Sequence, residues 1–205
     1  MMNIGFALIV GSPLFEEIIE LENNIHNEAG FYNQLGETHN IPHTTVFQGT
    51  FIDEVPYTFI ASELATYYKR YIRQCVPEFN QMIYVPDGWY FYKCNKTHEL
   101  QLLHNYTCRK VRPYIVLDPN RLDRNVSSLS KNQIIGIKKY GYRYAASAFF
   151  PHITIGRTEG ENPSLLKSLD TASKGLSRKI PFTRLTVYQM GPNGTHLNTL
   201  FEASL

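Results

Sequence analysis

Two short stretches of this 205-residue chain place an imidazole beside a hydroxyl: Pro42-His43-Thr44-Thr45 and Pro151-His152-Ile153-Thr154. Along a strand, side chains two positions apart share a face, so His43 stands with Thr45 and His152 with Thr154. Imidazole titrates near pH ~6.5, which lets one histidine accept a proton from water while the other donates one to a leaving oxygen. The threonine hydroxyls suit non-bridging phosphoryl oxygens and, with an imidazolium, would stabilise the charge of a pentavalent state. Together these groups suit metal-free cleavage of a phosphodiester. Shuffling a chain with 7 His, 11 Pro and 15 Thr yields P-H-x-T roughly 0.03 times, and twice roughly 4 times in 10,000. The repetition, 109 residues apart, therefore points to two facing strands around one cleft. Pro42 and Pro151 suit strand starts, and Thr44, Ile153, Val46 and Ile155 should anchor those strands.

Other chemistry is poorly served. There is no HExxH or paired-carboxylate motif, and Pro42 keeps His39 and His43 off a common helical face. Cys75, Cys94 and Cys108 lie far apart without CxxC spacing and read as reduced thiols. No metal and no cofactor is expected. His98 and His104 fall on an expected helix, His26 at the end of another and His196 in a loop near Gly194-Thr195; all four read as non-catalytic. Phe47 shares a strand face with His43 and Thr45 if pairing is regular, which makes it a candidate base-stacking platform; a core role explains the same residue type. The runs Trp89 to Tyr92 and Tyr140, Tyr142 and Tyr144 read as sheet packing.

With 43% hydrophobic and 13% aromatic residues the chain can bury a substantial core, and one domain spanning 1–205 is expected. The net charge of +2 conceals a polarity: nine acids and no Lys or Arg precede Lys69, whereas Arg109 to Arg143 holds nine basic residues against two acidic ones, nine minus two, or +7. Such a stretch attracts phosphate-rich ligands, or is simply a solvated helix face. The apolar opening is too short for a membrane span and lacks a preceding basic region, so a soluble, cytoplasmic protein is expected.

The elements that must position the histidines follow from periodicity. Asn3 to Val10 reads as a buried strand; Gly11-Ser12-Pro13 supplies a turn, a cap and a first helical proline; Leu14, Ile18, Leu21 and Ile25 mark a helix with Glu16, Glu17 and Glu20 on its wet face. Strand is expected over Thr44 to Phe51 and helix over Ser62 to Arg73. Pro86-Asp87-Gly88 should turn a hairpin between Met82–Val85 and Trp89–Lys93. Helices are expected over Thr97 to Lys110, from Leu122 through Val126, Leu129, Ile134 and Ile137 to a cap at Gly141, and over Ser164 to Leu176. Strands are expected over Tyr142 to Thr158, Phe182 to Met190 and Leu200 to Ala203. The class is α+β.

The stretch Phe149-Phe150-Pro151-His152-Ile153-Thr154-Ile155-Gly156-Arg157 resembles the second motif of the 2H phosphoesterase superfamily, which includes LigT-like RNA cyclic phosphodiesterases and 2'-5' RNA ligases. The first motif, Ile41 to Gly49, keeps the histidine, threonine and apolar residue but lacks the usual Phe-Leu-Gly ending. The resemblance implies a bilobal α+β fold in which two antiparallel sheets face a central cleft with helices outside. It implies His43 and His152 as the acid-base pair, Thr45 and Thr154 as phosphate ligands and Arg157 as a candidate phosphate contact. It also implies a hydrolase acting on a 2',3'-cyclic phosphate, a cyclic nucleotide or a short 2'-5'-linked RNA; separately from the resemblance, a monomer is expected. The alternatives are an RNA 2'-5' ligase and a nucleotide-binding module with little turnover.

Overall fold

A computed structural model describes residues 1–118 and 128–205. Ile4 to Val10, an unbroken apolar run, is buried on both faces. That burial places β1 (Met2–Val10) inside the sheet, with β2 (Thr44–Phe51) on one edge and β6 (Phe182–Met190) on the other. With β3 (Phe79–Val85), β4 (Trp89–Cys94), β5 (His152–Arg157) and β7 (His196–Ser204), the order is β3-β4-β5-β2-β1-β6-β7, every neighbouring pair antiparallel. The two expected sheets are the two wings of this sheet, β3-β4-β5 and β2-β1-β6-β7. They join through one residue pair, Thr44 opposite Ile153.

Five α-helices stand among the described residues: α1 (Leu14–Ala29), α2 (Tyr57–Tyr71), α3 (His98–Val111), α4 (Lys131–Tyr140) and α5 (Pro163–Ala172). Pro13 occupies the cap of α1, and Ser12 Oγ donates to Glu16 Oε1 at 2.6 Å instead of capping. Glu17 is drawn off the wet face to accept from the backbone N–H and hydroxyl of Ser177. Glu22 is fully buried and holds His26 and the backbone N–H of Leu35. α2 begins earlier than its apolar stripe suggested, directly after Pro56. Thr97 caps α3 by accepting from the Leu100 N–H. α4 opens on a capping box of Ser130 and Gln133 and closes on Gly141 in the left-handed region, as expected. The Leu122 and Val126 turns assigned to that helix lie outside the described residues.

The strand expected over Tyr142 to Thr158 contracts to β5. Ala146 takes a positive φ of 55° inside a short 3-10 turn at Ala146–Ala148, and Pro151 brings no N–H, so the ladder starts only at His152. Phe47 packs against Phe51, Tyr140 and Tyr142 in one wing. In the other, Phe31 packs against Tyr90 and lies over Gly156, where any Cβ would meet its ring at 2.5 Å. All three cysteines are free thiols.

Candidate active site

The join between the wings is also where the two motifs meet. Thr44 and Ile153 oppose one another and point into the core, both fully buried. Alternation along each strand then turns His43, Thr45, His152 and Thr154 to the other face. His43 lies immediately before β2 and His152 opens β5, so both rings sit where a rigid ladder begins.

The two imidazoles are oriented in the same way. His43 Nδ1 lies 2.7 Å from the carbonyl oxygen of Ile41, and His152 Nδ1 lies 2.7 Å from that of Phe150. A carbonyl only accepts, so each Nδ1 carries a proton and donates it, leaving each Nε2 with a lone pair when the ring is neutral. His152 stacks on Phe91 at 3.8 Å and is bordered by Phe150 at 5.3 Å and Tyr144 at 5.6 Å. His43 is bordered by Tyr188 at 5.0 Å and His196 at 6.3 Å. Burial pulls the proton affinity of both down, His152 to about 4, and the repulsion from His43 adds to the effect on His152.

A bulge in each strand extends this polar face. Ala7 opposes Thr45 while the adjacent Phe6 opposes Phe47, so Val46 is an extra residue in β2. Its carbonyl accepts from His104 Nδ1 at 2.6 Å, which gives the buried His104 a structural task. The bulge places Thr45 and Phe47 on opposite faces despite their spacing of two. The base-stacking assignment of Phe47 is thereby corrected: regular alternation breaks at Val46, and Phe47 is fully buried with no face for a base. Phe47→Ala should cost about 3–5 kcal/mol of folding stability. Chemical denaturation measures it, and a change under ~1 kcal/mol would return Phe47 to the surface.

In β5 the extra residue is Ile155. Phe91 opposes Thr154 and Tyr90 opposes Gly156, so Arg157, opposite Trp89, returns to the face of Thr154. Arg157 Nε donates to the carbonyl of Asp87 and Nη1 to Asn193 Oδ1, each at 3.0 Å, with the guanidinium 5.2 Å from the Trp89 ring and 5.6 Å from that of Tyr32. The same logic puts Gln48 on the face of Thr45.

Several residues here were not singled out by sequence. Tyr188 lies over Gly5, where a Cβ would stand 2.2 Å from its ring; its hydroxyl donates to Gln48 Oε1 at 3.3 Å and lies beside the Thr45 side chain. Burial raises its pKa, so it remains a donor. His196 stacks on Tyr188 at 5.0 Å, bringing a residue read as a loop histidine to the wall of the site. Only long-range pairing assembles this group, although the isolated Gly5 in an apolar strand was a local signal of close approach. His26 and His98 stay outside it. Two surface grooves, of about 310 and 320 Å³, lie elsewhere: one on α2 and α3 at Tyr67 and Tyr106, the other near Gln74 and Glu99.

Burial lowers His104, His152 and His196 each to about 4, with His43 also lowered. The unfolded chain, titrating near pH ~6.5, binds more protons than the folded one between there and pH 4, so stability is fullest above that window and falls through it. The melting temperature should therefore drop steadily from pH 7 to pH 4.5; a flat profile would contradict the neutral buried imidazoles.

No family model matches the sequence, and no curated protein matches it. Solved structures align along the whole chain. TT0787 of Thermus thermophilus superposes with a TM-score of 0.56 at 14% identity, covering 100% of this chain and 98% of that one. E. coli LigT complexed with 3'-AMP gives 0.46 at 14% identity and the same coverage, and its apo form 0.49 at 15% identity over 97% of that chain. At these identities the likeness is one of fold alone, and the fold shared is that of TT0787. Among the described residues, no helix is long and apolar enough to cross a membrane.

Proposed function

We propose that this chain is a single-domain, metal-independent phosphodiesterase that opens a 2',3'-cyclic phosphate or cleaves a short 2'-5'-linked or cyclic oligonucleotide by two-histidine acid-base catalysis. One observation carries the reading: two imidazoles on one face of a shared strand seam, each with Nδ1–H tied to its own backbone and each paired with a threonine two residues on. Neutral Nε2 of one ring takes a proton from water as the oxygen attacks phosphorus. The other ring, protonated, delivers a proton to the leaving ribose oxygen, while the hydroxyls of Thr45 and Thr154 donate to the non-bridging oxygens. Because both rings bind protons weakly in the free protein, the arriving anionic phosphate supplies the charge that loads one of them. Water attack and alcohol departure are mirror images, so the rings exchange roles when the reaction runs backward.

The test is a panel of 2',3'-cyclic nucleotides, 3',5'-cyclic nucleotides and 2'-5'-linked dinucleotides, assayed in excess EDTA with products resolved as 2'- or 3'-phosphates. Turnover of one substrate class, undiminished by chelator, is the expected result. Complete dependence on added metal would overturn the mechanism. Joined RNA ends without a nucleoside triphosphate would make the chain a ligase, and bound but uncleaved nucleotide across the whole panel would make it a binding module.

A further inference from the structure

Gln48 and Arg157 occupy matching places, each five residues after a motif histidine and each turned to the histidine face by a bulge. Each stands two ladder positions beyond its threonine: Thr45 opposes Ala7 and Gln48 opposes Gly5, while Thr154 is paired with Phe91 and Arg157 with Trp89. Two positions are about 7 Å of strand. Arg157 is also drawn outward by Asp87 and Asn193, away from a phosphate held at Thr154.

One turn touches both residues. Between β6 and β7, Asn193 (φ 61°) accepts from Arg157, and Gly194 (φ 82°) lies so close to Gln48 that a Cβ there would be 3.2 Å from both amide heteroatoms. The Tyr188 hydroxyl takes Gln48 Oε1, which fixes the amide and leaves its N–H groups as the donors on offer. Arg157 keeps Nη2 and has no carboxylate partner among the described residues. What this arrangement lacks on both sides is an oxygen acceptor, and on the Arg157 side an anionic one.

Resting on the phosphodiesterase reading, we propose that Gln48, Arg157 and the Pro192–Gly194 turn form a second subsite, which binds a further phosphate group of the substrate next to the one that reacts. The favoured substrate is then a nucleotide with two phosphates, and the Gln48 and Arg157 donors set that preference.

The test compares kcat/KM on nucleoside 2',3'-cyclic phosphates with and without a 5'-phosphate. Wild type should prefer the 5'-phosphorylated form by about ten- to a hundredfold, the worth of one charge-assisted hydrogen-bond set. Arg157→Ala should bring that ratio close to one, and Gln48→Leu should reduce it several-fold. A wild-type ratio near one, or an Arg157→Ala variant that slows both substrates equally, overturns the proposal; the latter would place Arg157 on the reacting phosphate. If no cyclic phosphate is turned over, the phosphodiesterase reading has failed separately. Calorimetry with nucleoside 3',5'-bisphosphates against 3'-monophosphates then still reads the subsite: a bisphosphate preference lost in Arg157→Ala supports it, and equal affinities reject it.

Discussion

Alanine at His43 or at His152 should lower kcat by about 10²- to 10⁴-fold, the range a positioned general acid or base contributes. The double variant should fall little further, because an acid without its base has almost no reaction left to assist. His43 and His152 each spend Nδ1–H on a carbonyl two residues back, so alanine also frees that carbonyl and, at His152, removes the ring stacked on Phe91. His→Asn variants retain an N–H donor without a titrating group, and they separate lost chemistry from lost packing. Circular dichroism and a melting curve should show both Asn variants folded, and turnover should be equally low in the Ala and Asn forms. Full activity in either Asn variant would remove that histidine from the mechanism. In wild type, kcat/KM should follow a bell on the acid side of neutrality, since free-enzyme values fall below the ordinary imidazole range, to about 4 for His152.

A methyl group at Gly5 is expected to be nearly as damaging, although Gly5 touches no substrate. Its Cβ would stand 2.2 Å from Tyr188 Cζ and 2.5 Å from the Tyr188 hydroxyl, inside a fully buried stack. The ring must move, and with it the groups it holds: Gln48, Thr45 and the flanks of His43 and His196. Overpacking of this kind costs about 1–3 kcal/mol, and a misplaced first threonine should lower kcat about a hundredfold besides. Tyr188→Ala in the Gly5→Ala background removes the clash, so a double-mutant cycle should show the double variant less destabilised than the sum of the two single variants, while activity stays low. Gly5→Ala with wild-type stability and turnover would show that the ring can turn aside freely.

Strands were legible where pattern and burial agree. Thr44–Phe51 and Phe182–Met190 have the bounds their apolar runs suggest, and Pro86-Asp87-Gly88 turns the expected hairpin. The four motif residues share a face because a period of two is enough to align positions 43 with 45 and 152 with 154. Phe47 was misplaced because a bulge adds one residue at Val46 without any composition signal, and everything beyond it changes face. The place of Tyr188 and His196 beside His43 was hidden for another reason: they reach it across β1, and partners 140 or more residues apart leave no local trace. Tyr142 to Pro151 looked like strand from its aromatic content, yet a left-handed residue at Ala146 bends it into the turn that brings Tyr144 and Phe150 beside His152.

The backbone ties of His43 and His152 have an electrical consequence. Catalytic imidazoles are often aligned by a carboxylate, which raises their basicity and brings a full negative charge close to the reacting group. A peptide carbonyl fixes the tautomer and the angle of the ring with a dipole alone. Repeated on both strands, this choice means that the groups fixing the two rings carry no net negative charge, so under the proposed mechanism an incoming phosphate would meet no fixed anion from them.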